Sequence, residues 1–169
     1  MLSIIPVMQL LSCLGEVKGR KHLQKLVYIL QNSGVPFEER FEYSFYGVYS
    51  ESLQSKVMEL CKNKMVKESQ KGNSFSIKAE SALKGLLRDC ELNSQQTWFV
   101  LAKELNNYPT KKLEGISTIM FLQSMEMLTG KAAIKQRLVE LKPHLADIAE
   151  ECWDEFHALP NTRSTEKAL

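Results

Sequence analysis

The chain has 169 residues, of which 44% are hydrophobic and 25% are charged, a composition typical of one soluble globular protein. This length excludes a large multidomain enzyme, and the formal net charge of +2 is too small to indicate a nucleic-acid or membrane partner by itself. The charge is uneven, because residues 1–90 carry 13 Lys and Arg against 9 Asp and Glu. An anionic partner would therefore favour the N-terminal half.

The four cysteines lie far apart and form no CxxC motif, so they predict reduced, buried thiols and neither a zinc site nor a redox site. The N-terminus is apolar but lacks the positive charges of a secretory signal, and its apolar run is too short for a membrane span. We therefore expect a cytoplasmic protein that does not bind a membrane. Residues 160–169 are polar and are predicted to form a disordered tail.

Apolar residues at helical spacing predict three helices in the first third of the chain. They cover about residues 4–14, 20–32 and 51–62. On the second helix, Arg20, Lys21, Gln24 and Lys25 are expected on the side away from the core. Ser50 precedes the third helix and is predicted to cap its N-terminus.

The aromatic segment FEYSFYGVYSESL separates the second and third helices. Residues 41–46 alternate between aromatic and polar side chains, which predicts a half-buried strand ended by Gly47. The alternation places Phe41, Tyr43 and Phe45 on one face, where packing on the core is expected rather than stacking on nucleobases.

Residues 64–78 predict a hairpin of two strands joined by a turn at Gly72-Asn73. Three helices followed by such a hairpin is the element order of a winged helix, with SQKGN as the wing. We therefore expect a winged-helix-like part over residues 1–91.

The second half of the chain predicts only helices, which form an extension over residues 92–159. The predicted helices lie near residues 83–90, 98–105 with a cap near Ser94, 113–128, and from Gly130 to 141, and the last one is opened by Pro143. Apolar residues nearly encircle the helix at 113–128, which predicts burial in the core or a homodimer through the C-terminal helices.

No residue pattern predicts catalysis or a bound cofactor or metal. His22, His144 and His157 lack partners at productive spacing, and each is expected to be solvated or structurally bonded. The acidic residues of the segment EECWDEF have the spacing expected for the solvent-exposed face of an amphipathic helix. Nucleotide-binding, metalloprotease and nucleophile-elbow motifs do not occur in the sequence.

The winged-helix order also raises DNA binding as a hypothesis, because the third helix and wing of such proteins contact DNA. The possible DNA contacts are Arg20, Lys21, Ser55, Lys62, Lys64, Lys67 and Lys71. Two observations weigh against it. The third helix carries balanced charges and no arginine for guanine readout, and the long aromatic segment replaces the tight joint of a helix-turn-helix.

The segment GRKHLQKLVYIL followed by FYGVYSESL resembles the YwgA-like family of bacterial proteins, whose members show GRKxLQKLVY and then FYGPYSxxL. It is also distantly similar to the SocA-like antitoxins, the Panacea group, which share a KLQKLLY-type helix. The residues that match the family pattern are Leu23, Gln24, Lys25, Leu26, Tyr28, Tyr46, Gly47, Tyr49, Ser50 and Leu53. Val48 stands where proline is usual.

The resemblance implies a winged-helix-like fold without an assigned enzymatic activity. The Panacea relatives bind other proteins, neutralising toxins or delivering them to a protease, which implies a protein-binding role. The leading hypothesis is thus a noncatalytic regulatory or adaptor module that is antitoxin-like. Its protein-interaction candidates are Lys25, Tyr46, Tyr49 and Gln54. The alternative is a winged-helix DNA-binding transcriptional regulator.

Overall fold

The computed structural model describes residues 4–160, so the predicted tail lies outside the described residues apart from Pro160. The helices are α1 Ile5–Leu14, α2 Gly19–Asn32, α3 Glu51–Lys62, α4 Ser81–Asp89, α5 Phe99–Asn106, α6 Thr110–Met125, α7 Lys131–Leu141 and α8 Ala149–Ala158. The strands are β1 Glu16–Val17, β2 Glu42–Ser44, β3 Gly47–Tyr49, β4 Val66–Lys71 and β5 Ser74–Ala79. The predicted class, mainly α with a small β-hairpin, is confirmed at this level.

The predicted hairpin at 64–78 is the pair β4 and β5, and it belongs to a three-stranded antiparallel sheet in the order β1-β5-β4. The sequence did not predict β1, because two residues are too few to show a period of two. Val17 of β1 lies opposite Ile77, and both side chains are buried. The segment EVKG, which lies between the first two predicted helices, therefore forms one edge of the sheet.

Helix α2 runs through the centre of the fold. Every residue from 22 to 30 is buried, because α5, α6, β3 and β5 surround the helix. The expectation that Gln24 and Lys25 point away from the core is therefore wrong: the β2–β3 hairpin covers the face on which they lie. Arg20 and Lys21, one turn earlier, are exposed as expected.

Helix α6 is the centre of the C-terminal half, as its encircling apolar residues predicted. Ile116, Ile119 and Leu122 have no exposed surface, and the helix packs on α2, α7 and α8. Gly115 allows α8 to approach closely, since a Cβ atom there would overlap the Cys152 side chain. One cluster of buried residues extends through both halves of the described chain.

Several boundaries differ from the prediction. Ser94 does not cap α5, whose N-cap position is Trp98 without a side-chain bond. Pro143 opens a 3-10 helix, Pro143–Ile148, and α8 follows it. The cysteines are free, but only Cys152 is buried, while Cys90 is exposed because it follows the polar end of α4. Within residues 4–160, no helix is both long and apolar enough to cross a membrane.

Candidate functional site

The aromatic segment folds into a hairpin rather than the single strand that was predicted. β2 and β3 are antiparallel, and Phe45 and Tyr46 form the turn between them. Gly47 begins β3 with a φ of +85°, a left-handed conformation that favours glycine. The predicted strand 41–46 thus ends two residues early.

Phe45 and Tyr46, which we call the aromatic tip, point into solvent. Phe45 is 88% exposed and Tyr46 is 68% exposed, and their rings meet edge to face at 5.2 Å. The prediction that Phe45 packs on the core is wrong, because the chain reverses before the alternation of β2 reaches it. The prediction for Phe41 and Tyr43 is confirmed, since both pack inward: Phe41 contacts Tyr28, and Tyr43 stacks on a ring of α6.

Gln24 of α2 holds the end of the hairpin through backbone atoms. Its side-chain amide donates to the Ser50 carbonyl at 2.8 Å, and its carbonyl oxygen accepts from the Ser50 N–H at 2.8 Å. Both residues are buried, so each hydrogen bond satisfies a group that water cannot reach. The Ser50 hydroxyl accepts from the Leu53 N–H, which confirms the predicted cap of α3.

Lys25 holds the tip itself from beneath. Its side chain is buried, and its ammonium group donates to the Tyr46 carbonyl at 2.8 Å and to the Val48 carbonyl at 2.7 Å. Burial lowers the pKa of Lys25 to about 8, although the nearby Glu114 carboxylate acts in the opposite direction. Lys25 therefore positions the hairpin from inside, and it is not an exposed contact for a partner.

A second lysine, Lys142, supports the tip from the other half of the chain. Its ammonium group donates to the Phe45 carbonyl at 3.2 Å and pairs with a Glu114 oxygen at 3.3 Å. The other Glu114 oxygen lies 3.2 Å from His144 Nε2 and 3.5 Å from Lys21 Nζ. Burial alone would raise the pKa of Glu114, but the His144 contact and the lysine charges together lower it.

We call Lys21, Lys25 and Lys142, which interact with the Glu114 carboxylate beside the His144 ring, the cationic cluster. It joins residues of α2, α6 and the segment after α7 under one hairpin. Sequence reasoning assigned no role to Glu114 or Lys142, because they lie far along the chain from the segments that form the hairpin. The His144 ring contacts the Glu114 carboxylate, so it is structurally bonded, one of the two states expected for the histidines.

The segment before β2 is held by a similar arrangement. Gln31 donates to the Glu39 carbonyl at 3.0 Å and accepts from the Glu39 N–H at 2.9 Å. The buried Glu39 carboxylate accepts hydrogen bonds from Ser52 and Lys56 of α3. The sequence did contain a sign of these roles, since Gln24 and Gln31 are seven residues apart and therefore share one face of α2.

The remaining interaction and DNA candidates lie on a neighbouring face. Arg20 makes two bonds of 2.6 Å to the Glu68 carboxylate, and the Gln54 amide lies against the same guanidinium. Tyr49 is 38% exposed, and its hydroxyl lies near the Arg20 guanidinium. Residues Ser55, Lys62, Lys64, Lys67 and Lys71 are all exposed. Of these candidates, Arg20 is already paired with the Glu68 carboxylate, which neutralises its charge.

The histidines and cysteines do not assemble a reactive site in the part of the chain that is described. Across residues 4–160, no group of three His, Cys, Asp or Glu side chains could hold a metal ion. His22 is fully buried beside the Thr110 hydroxyl, at 2.8 Å, and burial lowers its pKa to about 4. His157 packs on the Trp153 ring. Burial also raises the pKa of the Cys152 thiol to about 11, which disfavours the thiolate.

The sequence is similar to that of a bacterial protein. It is 32% identical over 124 residues to "Uncharacterized protein YwgA" of Bacillus subtilis strain 168, and the match covers 71% of this chain and 74% of that protein. No family model matches the chain. No solved structure matches it.

Proposed function

Given that the chain belongs to the YwgA family, we propose that it is a noncatalytic regulatory or adaptor module that binds another protein through the aromatic tip. One observation carries the proposal: the adjacent aromatic side chains of Phe45 and Tyr46 are exposed to solvent at the turn of a short hairpin that is fixed to the core. Aromatic side chains are enriched among the residues that dominate the energy of protein interfaces.

The way the hairpin is held supports a binding role. Lys25 and Lys142 donate to three carbonyl groups of the turn, those of Phe45, Tyr46 and Val48. A turn fixed in this manner loses little conformational entropy when it binds, so more of the contact energy appears as affinity. The aromatic tip is therefore preorganised, as interface loops on rigid scaffolds are.

We propose further that the distant resemblance of the α2 motif to SocA-like antitoxins extends to the class of partner. Proteins of that group bind toxins or deliver them to a protease, and a toxin or a protease subunit is accordingly the partner that we expect. This role requires no reaction at the hairpin, only a stable surface. Homodimerisation through the C-terminal helices stays a separate hypothesis.

The proposal is tested by affinity capture from cell extract with the full chain as bait, in the presence of nuclease. The test variant replaces both tip residues, Phe45→Ser and Tyr46→Ser. The matched control is Val100→Ser, which changes an apolar residue of α5 that is 72% exposed on another part of the protein. We expect the control to retain the captured protein and the tip variant to lose it, with both melting like the parent. Capture that is unchanged by the tip variant contradicts the proposal.

A second candidate, a winged-helix DNA-binding regulator, is favoured by the topology. The elements α1, β1, α2, α3, β4 and β5 follow the order of a winged helix, with the β2–β3 hairpin inserted before α3. The exposed Lys64, Lys67 and Lys71 lie on or beside β4, the first strand of the wing. On α3, however, the exposed carboxylates of Glu51 and Glu59 offset the positive charge of the lysines on that helix.

Titration of duplex DNA at two salt concentrations separates the two candidates. Each phosphate contact contributes about one unit to the slope of log affinity against log salt. If DNA is the partner, replacing Lys64, Lys67 and Lys71 by alanine lowers that slope by about three and weakens binding. Tight, sequence-selective and strongly salt-dependent binding would make DNA the leading partner in place of a protein.

A further inference from the structure

The cationic cluster beneath the aromatic tip contains more positive than negative charge. Lys21, Lys25 and Lys142 share one carboxylate, that of Glu114, and His144 contacts the same group. Backbone carbonyls satisfy part of this charge, but they bring no full negative charge with them. Buried or half-buried cations are normally balanced by paired anions.

The other nearby carboxylates are paired with cations outside the cluster or face away from it. Asp147 acts on the His144 ring, but it is paired with Lys111. Glu126 acts on the Tyr43 hydroxyl, but it is paired with Arg137. Glu42 adjoins Tyr43 along β2 and therefore faces the opposite side of the hairpin. On the face of the hairpin that packs on α6, the described residues therefore carry more positive than negative charge.

The cluster is also connected to the surface beside the aromatic tip. Lys142 contacts the Phe45 carbonyl and Glu114, and Glu114 contacts Lys21 and His144. The side chains of Lys21 and His144 are each 53% exposed. Lys21 and the His144 ring are therefore accessible from outside the protein, and contacts through Glu114 and Lys142 link both of them to the backbone of the tip.

We propose that the partner surface bound at the aromatic tip is an acidic peptide segment, in which an Asp or Glu lies next to an apolar residue. The apolar residue packs on Phe45 and Tyr46, and the carboxylate accepts a hydrogen bond from the Lys21 ammonium group. This inference rests on the proposed protein-binding function and specifies the chemistry of the partner. Charge-assisted bonds of this type fix orientation and suppress wrong partners.

The same arrangement disfavours a nucleic acid at this hairpin. Phosphate binding uses several cations arranged along a backbone, whereas Lys21 is the one exposed lysine of the cationic cluster. A single carboxylate beside an apolar side chain fits one exposed ammonium group and two exposed rings. DNA and a second copy of this chain are therefore alternative outcomes of the experiment.

The experiment pans a display library of random peptides, about twelve residues long, against the full chain. Enriched peptides are synthesised with a fluorescent label, and their affinity is measured by anisotropy for the parent protein and three variants. The variants are the double tip variant, Lys21→Gln, and the matched control Lys84→Gln, which removes an exposed lysine of α4.

We expect the enriched peptides to contain Asp or Glu beside Leu, Phe or Trp. Replacing that acidic residue by its amide should weaken binding about tenfold, the loss of one good charge-assisted bond. Lys21→Gln should weaken binding severalfold, Lys84→Gln should leave it unchanged, and the tip variant should abolish it. A tenfold increase in salt should weaken the acidic peptides more than their amides.

The contrary outcomes separate this inference from the proposed function. Peptides that need the tip but carry no acidic residue, or that ignore Lys21→Gln, overturn the inference and leave protein binding intact. Peptides that bind the tip variant as well as the parent overturn both. Competition by duplex DNA, or a dimer that the tip variant abolishes, identifies a different occupant and overturns the inference.

Discussion

Acidification should destabilise the protein in a range where carboxylates still keep their charge, because of His22. This histidine has no exposed surface, and burial, aided by the charge of Lys18, lowers its pKa from 6.5 to about 4. Between these two pH values the unfolded chain binds more protons than the folded chain, so the free energy of unfolding falls as the pH falls. His22 contributes fully above its ordinary pKa, and this contribution is lost as the pH approaches 4.

The size of the effect follows from the two pKa values. From about pH 7 to about pH 5, protonation of the unfolded histidine should cost about 2 kcal/mol of unfolding free energy, and the loss should reach about 3 kcal/mol near pH 4. The measurement is urea unfolding followed by far-UV circular dichroism at a series of pH values. His22→Gln should lower stability at neutral pH but remove this pH dependence, because glutamine does not titrate.

The control is His157→Gln, which removes an exposed histidine of α8. It should keep the pH dependence of the parent. The stability difference between the parent and His22→Gln, taken at each pH, cancels the titration of carboxylates that both proteins share. If that difference stays constant between about pH 7 and about pH 5, the burial argument for His22 is refuted.

Three substitutions test how the hairpin and helices are held, each by urea unfolding. Gly115→Ala should cost about 2 kcal/mol by overlap with Cys152, and Cys152→Ala in the same chain should recover part of it; an additive double variant would contradict this account. Gln24→Leu should cost about 3 kcal/mol, because it leaves both backbone groups of Ser50 buried without partners; a loss near zero would show that water replaces the amide. Ser50→Ala should cost about 1 kcal/mol through the lost cap of α3, whereas Ser55→Ala on the exposed face should change little; equal losses would rule out the cap as the cause.

Periodicity predicted the helices and strands of this fold well where they are long enough for buried positions to recur at a regular spacing. α3 and its Ser50 cap, the β4–β5 hairpin and the buried α6 all follow from local sequence. Strand β1 was missed because its two residues gain their partner only from β5, far along the chain.

The candidate site could be predicted in part. The aromatic segment was recognised as important, but Phe45 was assigned to the wrong side, since the position of the turn depends on Lys25 and Lys142 beneath it. Lys25 itself was expected at the surface, because a charged residue on a helix normally lies there. Glu114 lies on a different helix, and only the folded chain brings it to the lysines.

The turn of the hairpin is held through main-chain atoms. Lys25 and Lys142 contact the carbonyl groups of Phe45, Tyr46 and Val48, and none of these contacts depends on which side chain the residue carries. The position of the turn is thus separated from the chemistry that it displays. Phe45 and Tyr46 can be exchanged for other side chains while the backbone stays in place, as in the variable loops of a rigid binding scaffold. The protein is accordingly suited to acquire new partners by substitutions at these two positions, without rebuilding its core.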